Sequence, residues 1–176
     1  MTDTMAFDAP WDQRLVMITT LCTIVLLGAA ALLVWVGLTR IPVTPVRIFF
    51  LLNGLLPIAI LAFCAMLAPR GYQIRNGTLR IERFVGSIDI PLEAIDAVEA
   101  LPAQQVAGSR RTMGNGGLFG YYGRFRNAAL GEFRMYATRG DGYVLLRGRT
   151  PYVLTPQAPE LFIQAVNRER ASIHGS

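Results

Sequence analysis

The sequence predicts a transmembrane α-helical hairpin followed by a mainly-β domain that a C-terminal helix closes. Three observations lead to this fold class. Two long apolar runs near the N-terminus contain no charged residue. After residue 69 the apolar residues alternate in short runs separated by turn signals, a pattern typical of β-strands. The chain then ends in an amphipathic stretch that starts with proline, a common first residue of a helix.

The two apolar runs cover residues 15–38 and 48–68 of a 176-residue chain that is 52% hydrophobic. As helices they span roughly 36 and 31 Å, enough to cross a hydrocarbon core of about 30 Å. Both runs are longer than the apolar core of a secretory signal. The preceding tail, residues 1–14, carries three aspartates and one arginine. We therefore expect two transmembrane helices rather than a signal peptide.

The linker between the runs, residues 39–47, is too short to hold a domain, so both chain ends are expected on one side of the membrane. Two arginines flank this linker, whereas five lie near the other two membrane ends: Arg14, Arg70, Arg75, Arg80 and Arg83. Cytoplasmic segments next to a membrane carry an excess of basic residues. The sequence therefore predicts a multi-pass protein with both termini and the β-rich domain in the cytoplasm.

Three neighbouring residues of the second run are expected to shape the packing of the helices. Asn53 places an amide at membrane depth, close to Gly54 and Pro57. A polar residue there bonds across helices or bends its own helix, and small residues allow close approach. Neither run contains Asp, Glu, Lys or Arg. We therefore expect packing against the first run or another subunit rather than an ion pathway.

The region 70–171 is expected to form one small domain, followed by a tail at 172–176. The dipeptides Asn76-Gly77 and Asp141-Gly142 are strong signals for two-residue hairpin turns. Around them the alternating pattern predicts seven strands, at 72–75, 78–84, 87–90, 95–101, 132–138, 143–147 and 151–154. Residues 102–130 are expected to form a long irregular loop. A helix beginning at Pro159 covers one end of a small barrel built from these strands.

Groups suited to catalysis or metal binding are sparse in this sequence. Cys22 and Cys64 lie inside the apolar runs, and the single histidine, His174, lies in the polar C-terminal tail. This leaves no obvious nucleophile–base pair and no metal-ligand spacing. The carboxylates at positions 89, 93, 96 and 99 fit a solvated face better than a metal site. We therefore expect a non-enzymatic protein with no cofactor, no metal and no nucleic-acid partner.

Three stretches of the β-rich region resemble the bacterial pleckstrin-homology (PH) domain family: IDIPLEAIDAVE (88–99), GGLFGYYGRFRNAALGEFRMYAT (116–138) and RTPYVLTPQAPELFIQAV (149–166). The resemblance implies a PH-like barrel of about seven antiparallel strands capped by a C-terminal helix, carried by a bacterial inner-membrane protein. In eukaryotic relatives that bind phosphoinositides, the loop between the first two strands is basic and fairly long. Here that loop is the two-residue Asn76-Gly77 turn, which argues against such binding.

The stretch GNGGLFGYYGRFRN (114–127) contains five glycines, four aromatic residues and two arginines within the expected loop. It lacks the glycine spacing of a dinucleotide fingerprint and the lysine of a P-loop. The aromatic residues either pack back onto the barrel, contact a protein or a second copy, or meet anionic lipid headgroups. The candidate binding residues of the loop region are Arg110, Arg111, Phe119, Tyr121, Tyr122, Arg124, Phe125 and Arg126.

These observations predict a non-enzymatic, membrane-anchored interaction module. Its helices contact the lipid bilayer, and its PH-like domain binds a partner protein or assembles into a homo-oligomer at the cytoplasmic face. One alternative is recognition of anionic lipid headgroups by the basic, aromatic loop. Another alternative is an accessory subunit of a membrane transport or enzyme complex.

Overall fold

The computed structural model describes residues 4–174, and two long helices dominate its N-terminal third. Asp12 caps the first helix, α1 (Gln13–Thr39), by accepting a 2.6 Å hydrogen bond from the Leu15 amide. After a short turn the second helix, α2 (Thr44–Leu67), begins with a proline in its first turn. The outermost residues of the two expected tails, 1–3 and 175–176, lie outside the described residues.

The two helices expose most of their apolar surface. Each is long and apolar enough to cross a membrane, and only 11% of its most apolar window is buried within the chain. Apolar surface of this kind costs about 25 cal/mol per Å² when it faces water. The predicted helical hairpin is thus confirmed, and its open apolar surface associates the protein with a membrane.

The rest of the chain consists mainly of strands. The described residues form ten: β1 (Met5–Asp8), β2 (Pro69–Arg75), β3 (Thr78–Arg83), β4 (Ser87–Pro91), β5 (Ile95–Leu101), β6 (Arg110–Gly116), β7 (Tyr121–Asn127), β8 (Gly131–Ala137), β9 (Tyr143–Gly148) and β10 (Tyr152–Leu154). One turn of 3₁₀ helix (Leu92–Ala94), a short helix α3 (Ala103–Val106) and the C-terminal helix α4 (Pro159–His174) complete the domain.

The strands form two sheets, ordered β1-β2-β3-β4 and β5-β9-β10-β8-β7-β6. Neighbouring strands are antiparallel, except that β10 runs parallel to β8. The mainly-β fold with a C-terminal helix is confirmed, but the strands of residues 4–174 do not close into the predicted barrel. Each sheet instead buries its apolar face against the other sheet and α4, so ring closure is not needed to cover the core.

The main core lies between the two sheets and α4. Phe162 of α4 packs edge-on against Phe7 and Tyr72, with ring centroids 5.2 and 5.9 Å apart. The buried Tyr72 hydroxyl donates a 2.7 Å hydrogen bond to the Tyr136 carbonyl and accepts one of 3.2 Å from the Thr155 amide. Burial raises the pKa of Tyr72 from 10.0 to about 12. The phenol therefore ties both sheets together in its neutral form.

The N-terminal tail contributes a strand that the sequence did not predict. Residues of β1 pair antiparallel with β2, from Met5 opposite Ile74 to Asp8 opposite Gly71. Four residues are too short a stretch for alternation to distinguish a strand from a polar tail. The C-terminal boundary also differs, because α4 continues through residues 172–174 of the expected tail.

The predicted irregular loop at 102–130 was wrong, because this region contains α3, β6 and β7. Gly114 and Gly123 lie directly opposite each other on β6 and β7, with φ values of 114° and 123°. A Cβ on either residue would collide with the facing backbone. Glycine is therefore required here, and it replaces the branched and aromatic residues that usually mark a strand.

Candidate binding face on the second sheet

The β6–β7 hairpin is held against the domain-side ends of both long helices. The Tyr122 hydroxyl of β7 donates a 2.7 Å hydrogen bond to the Cys64 carbonyl in the last turns of α2. Asn115 of β6 donates a 2.9 Å hydrogen bond to the same hydroxyl. On the other helix, Thr19 accepts a 3.1 Å hydrogen bond from the Phe119 amide. The domain and the helical hairpin are thus joined through side chains as well as through the connecting chain.

The tip of this hairpin, residues 117–120, is a preformed tight turn. The Gly117 amide donates a 3.0 Å hydrogen bond to the Gly120 carbonyl, and Asn115 exchanges two side-chain hydrogen bonds with Leu118. Phe119 adopts a positive φ of 62°, which is uncommon for a residue other than glycine. The turn therefore orients the Phe119 amide toward α1.

The start of α1 is tied to the second sheet by further contacts. Besides capping α1, Asp12 accepts a 2.7 Å hydrogen bond from the Gly140 amide. The Thr138 hydroxyl donates a 2.8 Å hydrogen bond to the Pro10 carbonyl. The ring of Trp11 packs edge-on against Phe119 at 6.0 Å. Residues just before the first long helix thus belong to the domain interface.

The aromatic residues predicted to bind a ligand complete the fold instead of forming an open surface. Tyr122 and Phe125 are 6% and 5% exposed. Phe125 stacks on Phe133 with centroids 6.1 Å apart, within a second apolar cluster that also includes the half-buried Tyr121. Of the predicted binding residues, the four exposed ones are the arginines, namely Arg110, Arg111, Arg124 and Arg126.

One face of the three neighbouring strands β6, β7 and β8 carries four arginines: Arg110, Arg124, Arg126 and Arg134. Arg110 lies opposite Arg126 across β6 and β7, and Arg124 lies opposite Arg134 across β7 and β8. Residues opposite each other in a strand pair project to the same side of the sheet. We call these four residues the arginine face. Arg111 lies on the other side of β6, opposite Phe125.

The arginine face has one carboxylate residue beside it, Glu132, which lies opposite Arg126 across β7 and β8. Like charges directly opposite each other destabilise a strand pair. Two other exposed strand arginines of the domain are paired with carboxylates: Arg80 with Asp89 at 2.7 Å and Arg147 with Glu99 at 2.6 Å. Within residues 4–174, no member of the arginine face has a carboxylate oxygen within 4.0 Å. The face is therefore open to an anion from outside the chain.

A cleft of about 270 Å³ extends the arginine face toward the β9–β10 connection. It is lined by Arg124, Arg134 and Arg149, together with Glu132 and the segment 150–151. The neighbouring Tyr136 is mostly buried, and burial raises its pKa although nearby arginine charges oppose the change. The cleft is thus lined by arginines of three chain segments with one glutamate beside them, and the Arg134 guanidinium also donates a 3.4 Å hydrogen bond to the Tyr152 hydroxyl.

The comparison with known families decides what this domain is. A family model described as "Bacterial PH domain" matches residues 70–170, more than half of the chain. The chain belongs to the bacterial PH domain family. A search of curated proteins and a search of solved structures each found no match. The resemblance inferred from residues 88–99, 116–138 and 149–166 is thus confirmed.

The first hairpin turn of this bacterial PH domain is short, and a side chain of α4 already forms a hydrogen bond with it. Asn76 and Gly77 have φ values of 49° and 70°, as a two-residue turn with two positive φ angles requires. Glu169 of α4 accepts a 2.9 Å hydrogen bond from the Gly77 amide. Nearby, Asp89 binds the Arg80 guanidinium through two hydrogen bonds. The turn is therefore packed against α4, and one of its nearby cations is already paired.

The predicted helix-packing residues of the PH protein have distinct roles. Gly54 is buried at the helix contact, where an added Cβ would lie 2.7 Å from Val34 Cγ2. Asn53 donates a 2.8 Å hydrogen bond to the Phe49 carbonyl of its own helix, so within this chain it does not bridge the two helices. Pro57 lies inside α2. Of these three residues, Gly54 is therefore the one that allows the close approach of α1 and α2.

Sequence reasoning missed two cationic residues of the site, Arg134 and Arg149. Arg134 lies on the predicted strand 132–138, alternating with the core residues Phe133 and Met135. That alternation already indicated that Arg134 projects away from its neighbours. No comparable local signal identified Arg149, because the β9–β10 connection reaches the cleft only through the parallel pairing of β10 with β8.

Proposed function

We propose that this protein is a non-catalytic interaction module anchored in the bacterial inner membrane by its two helices. In this proposal the arginine face of the PH domain binds an acidic segment of a partner protein at the cytoplasmic surface. The observation that carries the proposal is the pairing of Arg110 with Arg126 and of Arg124 with Arg134 without bound carboxylates. An acidic partner supplies the missing counter-charge.

The position of the face relative to the helices supports a protein ligand. Tyr122 contacts the last turns of α2, and Arg126 lies four residues further along β7. Four residues of a strand extend roughly 13 Å. Lipid headgroups form a layer of only about 5–7 Å on each side of the hydrocarbon core. The end of β7 that carries Arg126, with Arg110 opposite it, is the part of the arginine face farthest along the strand from this helix contact, which supports a ligand other than the bilayer there.

The shape of the outer strand favours a different protein over a second copy of this chain. β6 is the edge of its sheet, and the register shifts between Arg111 and Met113, which marks a bulge. Charged residues and bulges on an edge strand disfavour pairing with another edge. An open groove of about 600 Å³ beside this edge includes Arg110, Thr112 and Arg126 in its lining. Acidic side chains can bind there without extending the sheet.

In this proposal, the cytoplasmic placement of the domain rests on the distribution of arginines around the two helices. Five arginines lie near the membrane ends on the domain side, and two flank the linker. Cytoplasmic segments next to membrane helices carry this excess. The arginine face then lies on the side where soluble acidic partners have access to it.

A photo-crosslinking amino acid at Met113 tests the proposal. This side chain is 68% exposed and lies opposite Arg124 on the arginine face. The full-length protein is irradiated in native bacterial membranes. We expect a discrete adduct with a second protein whose crosslinked peptide is acidic. Arg110→Glu with Arg126→Glu is expected to remove the adduct, and increasing salt is expected to weaken it.

The matched control changes two exposed arginines away from the face, Arg75→Glu with Arg168→Glu. It alters net charge equally and is expected to retain the adduct. Equal adducts in both double variants would contradict the proposed face. An adduct with the mass of two copies of this chain would contradict a separate partner and would identify self-assembly instead.

A further inference from the structure

The turn between β3 and β4 places two exposed apolar side chains against the end of α2. Phe84 and Val85 are 67% and 51% exposed. The Val85 amide donates a 3.1 Å hydrogen bond to the Met66 carbonyl in the last turn of α2. The following residue, Gly86, has a φ of 70° and lets the chain reverse direction. Two large apolar side chains are thus held where a membrane-crossing helix ends.

Two arginines flank this apolar tip. The Arg70 guanidinium lies over the Phe84 ring at 5.8 Å from its centroid. Arg83 precedes Phe84, and its Nε atom is buried without a hydrogen-bond partner among residues 4–174. Neither arginine forms an ion pair with a carboxylate of the described residues. The adjacent Glu82 is occupied by a 2.6 Å hydrogen bond from Gln73.

We propose that residues 83–86, together with Arg70, form a lipid-binding wedge that inserts into the same bilayer and binds anionic phospholipid headgroups. Phe84 and Val85 enter the interfacial region, where exposed apolar side chains are stabilised. Arg70 and Arg83 then lie at headgroup level and contact phosphate oxygens. The occupant is a lipid because the tip is bonded directly to the end of an apolar helix.

The wedge differs from the arginine face in position and in ligand. It belongs to the first sheet, where the Val85 amide is bonded to α2, whereas the arginine face belongs to the second sheet. It provides a second contact with the membrane, in addition to the helices themselves. This contact makes the position of the domain sensitive to the charge of the surrounding lipid.

A spin label at position 85 tests the wedge in the full-length protein. Val85→Cys is introduced with Cys22→Ser and Cys64→Ser, and the protein is placed in nanodiscs of phosphatidylcholine with or without phosphatidylglycerol. We expect the label to be more accessible to oxygen than to a water-soluble paramagnetic reagent, most clearly with phosphatidylglycerol. A label at Ala128, exposed in the connection after β7, serves as the water-accessible control.

The charge contribution is measured by native mass spectrometry of retained lipid. Basic residues near an anionic surface contribute about 1 kcal/mol each, so Arg70→Gln with Arg83→Gln is expected to lower the preference for phosphatidylglycerol by up to roughly 30-fold. Arg70→Gln alone provides the test if Arg83 is needed for folding, with an expected loss of roughly fivefold. Arg149→Gln with Arg168→Gln, two exposed arginines outside the membrane-end set, is the control and is expected to retain the preference.

Three results would overturn the wedge. The first is a label at position 85 that is freely accessible to the water-soluble reagent in both nanodiscs. The second is a label shielded from both reagents, which would place protein over the turn. The third is an unchanged lipid preference in the Arg70 variants.

Discussion

The Tyr122 hydroxyl donates a 2.7 Å hydrogen bond to the backbone carbonyl of Cys64. This contact joins the PH domain to a long apolar helix across 58 positions of the chain. Asn115 donates to the same oxygen, so the hydroxyl both donates and accepts. Burial raises the pKa of this phenol from 10.0 to about 12. These hydrogen bonds therefore hold the β6–β7 hairpin, and with it the domain, against the helices.

Tyr122→Phe is expected to loosen this support. It removes the donor to Cys64 and leaves the Asn115 amide without one acceptor, at a cost of roughly 1–3 kcal/mol. Hydrogen exchange of the amides in residues 117–122 is expected to accelerate in the full-length protein. Tyr121→Phe is the control, because no hydrogen bond is found for the Tyr121 hydroxyl within residues 4–174. Similar exchange in both variants would contradict a docking role for Tyr122.

Gly123→Ala is expected to disrupt the β6–β7 hairpin. Its φ of 123° disfavours other residues by roughly 1–3 kcal/mol, and an added Cβ would collide with the Met113 carbonyl. Gly108→Ala is the matched control, because Gly108 also has a positive φ, of 73°, but has open space around it. Thermal unfolding should show the larger loss for Gly123→Ala. Equal losses would mean that conformational strain alone acts at both positions.

Gly54→Val is expected to separate α1 from α2. An added Cβ at Gly54 lies within 2.7 Å of Val34 and 3.2 Å of the Ala30 carbonyl, so the larger side chain forces the helices apart. Gly28→Val is the control, since nothing lies within 4 Å of a Cβ placed there. Stability against heating in nanodiscs is expected to fall for Gly54→Val and to change little for Gly28→Val. A larger loss of stability for Gly28→Val than for Gly54→Val would mean that the two helices pack at another site.

Tyr72→Phe is expected to lower stability by roughly 1–3 kcal/mol near neutral pH, because the Tyr136 carbonyl and the buried Thr155 amide each lose their hydrogen bond to the phenol. Chemical denaturation of the full-length protein measures this change. Thr78→Ala serves as a control on the first sheet, since its side chain is only half-buried. A neutral effect of Tyr72→Phe would contradict the role of this phenol in joining the sheets.

The same residue predicts an alkaline loss of stability in the wild-type protein. The pKa of Tyr72 is 10.0 unperturbed and about 12 in the folded state. The unfolded chain therefore releases its proton first, and stability falls as pH rises from about 10 to about 12. Tyr122 and Tyr143, whose pKa values burial also raises to about 12, act with the same sign. Tyr72→Phe should make the decline less steep, and a stability that rises in this window would contradict the assignment.

The parts of the fold that could be predicted are marked by strong local sequence patterns. The uncharged apolar runs gave the two helices, and Asn76-Gly77 gave a turn with two positive φ angles. The amphipathic pattern after Pro159 gave α4, whose residues Phe162 and Val166 are buried. Each of these signals depends on neighbours within one or two turns of the chain, so no tertiary information was needed.

The parts that could not be predicted depend on distant partners. β1 is stabilised by pairing with β2, more than sixty residues away. β6 contains two glycines and β7 contains one, and the close backbone approach at Gly114 and Gly123 interrupts the usual strand signal. The arginine face likewise arises from the register of three strands. Only the structure shows that Arg124 faces Arg134.

The docking of the hairpin tip against the long helices fixes how the PH domain is attached to the helical hairpin. The direct measurement is crosslinking between Thr19→Cys and Phe119→Cys, in a Cys22→Ser, Cys64→Ser background, with a short thiol crosslinker in native membranes. The Phe119 amide lies 3.1 Å from Thr19 Oγ1, so we predict efficient intramolecular crosslinking. Thr19→Cys paired with Ala128→Cys, at the opposite end of β7, is expected to remain unlinked. Absence of the 19–119 crosslink, or equal crosslinking of the two pairs, would contradict the docked arrangement.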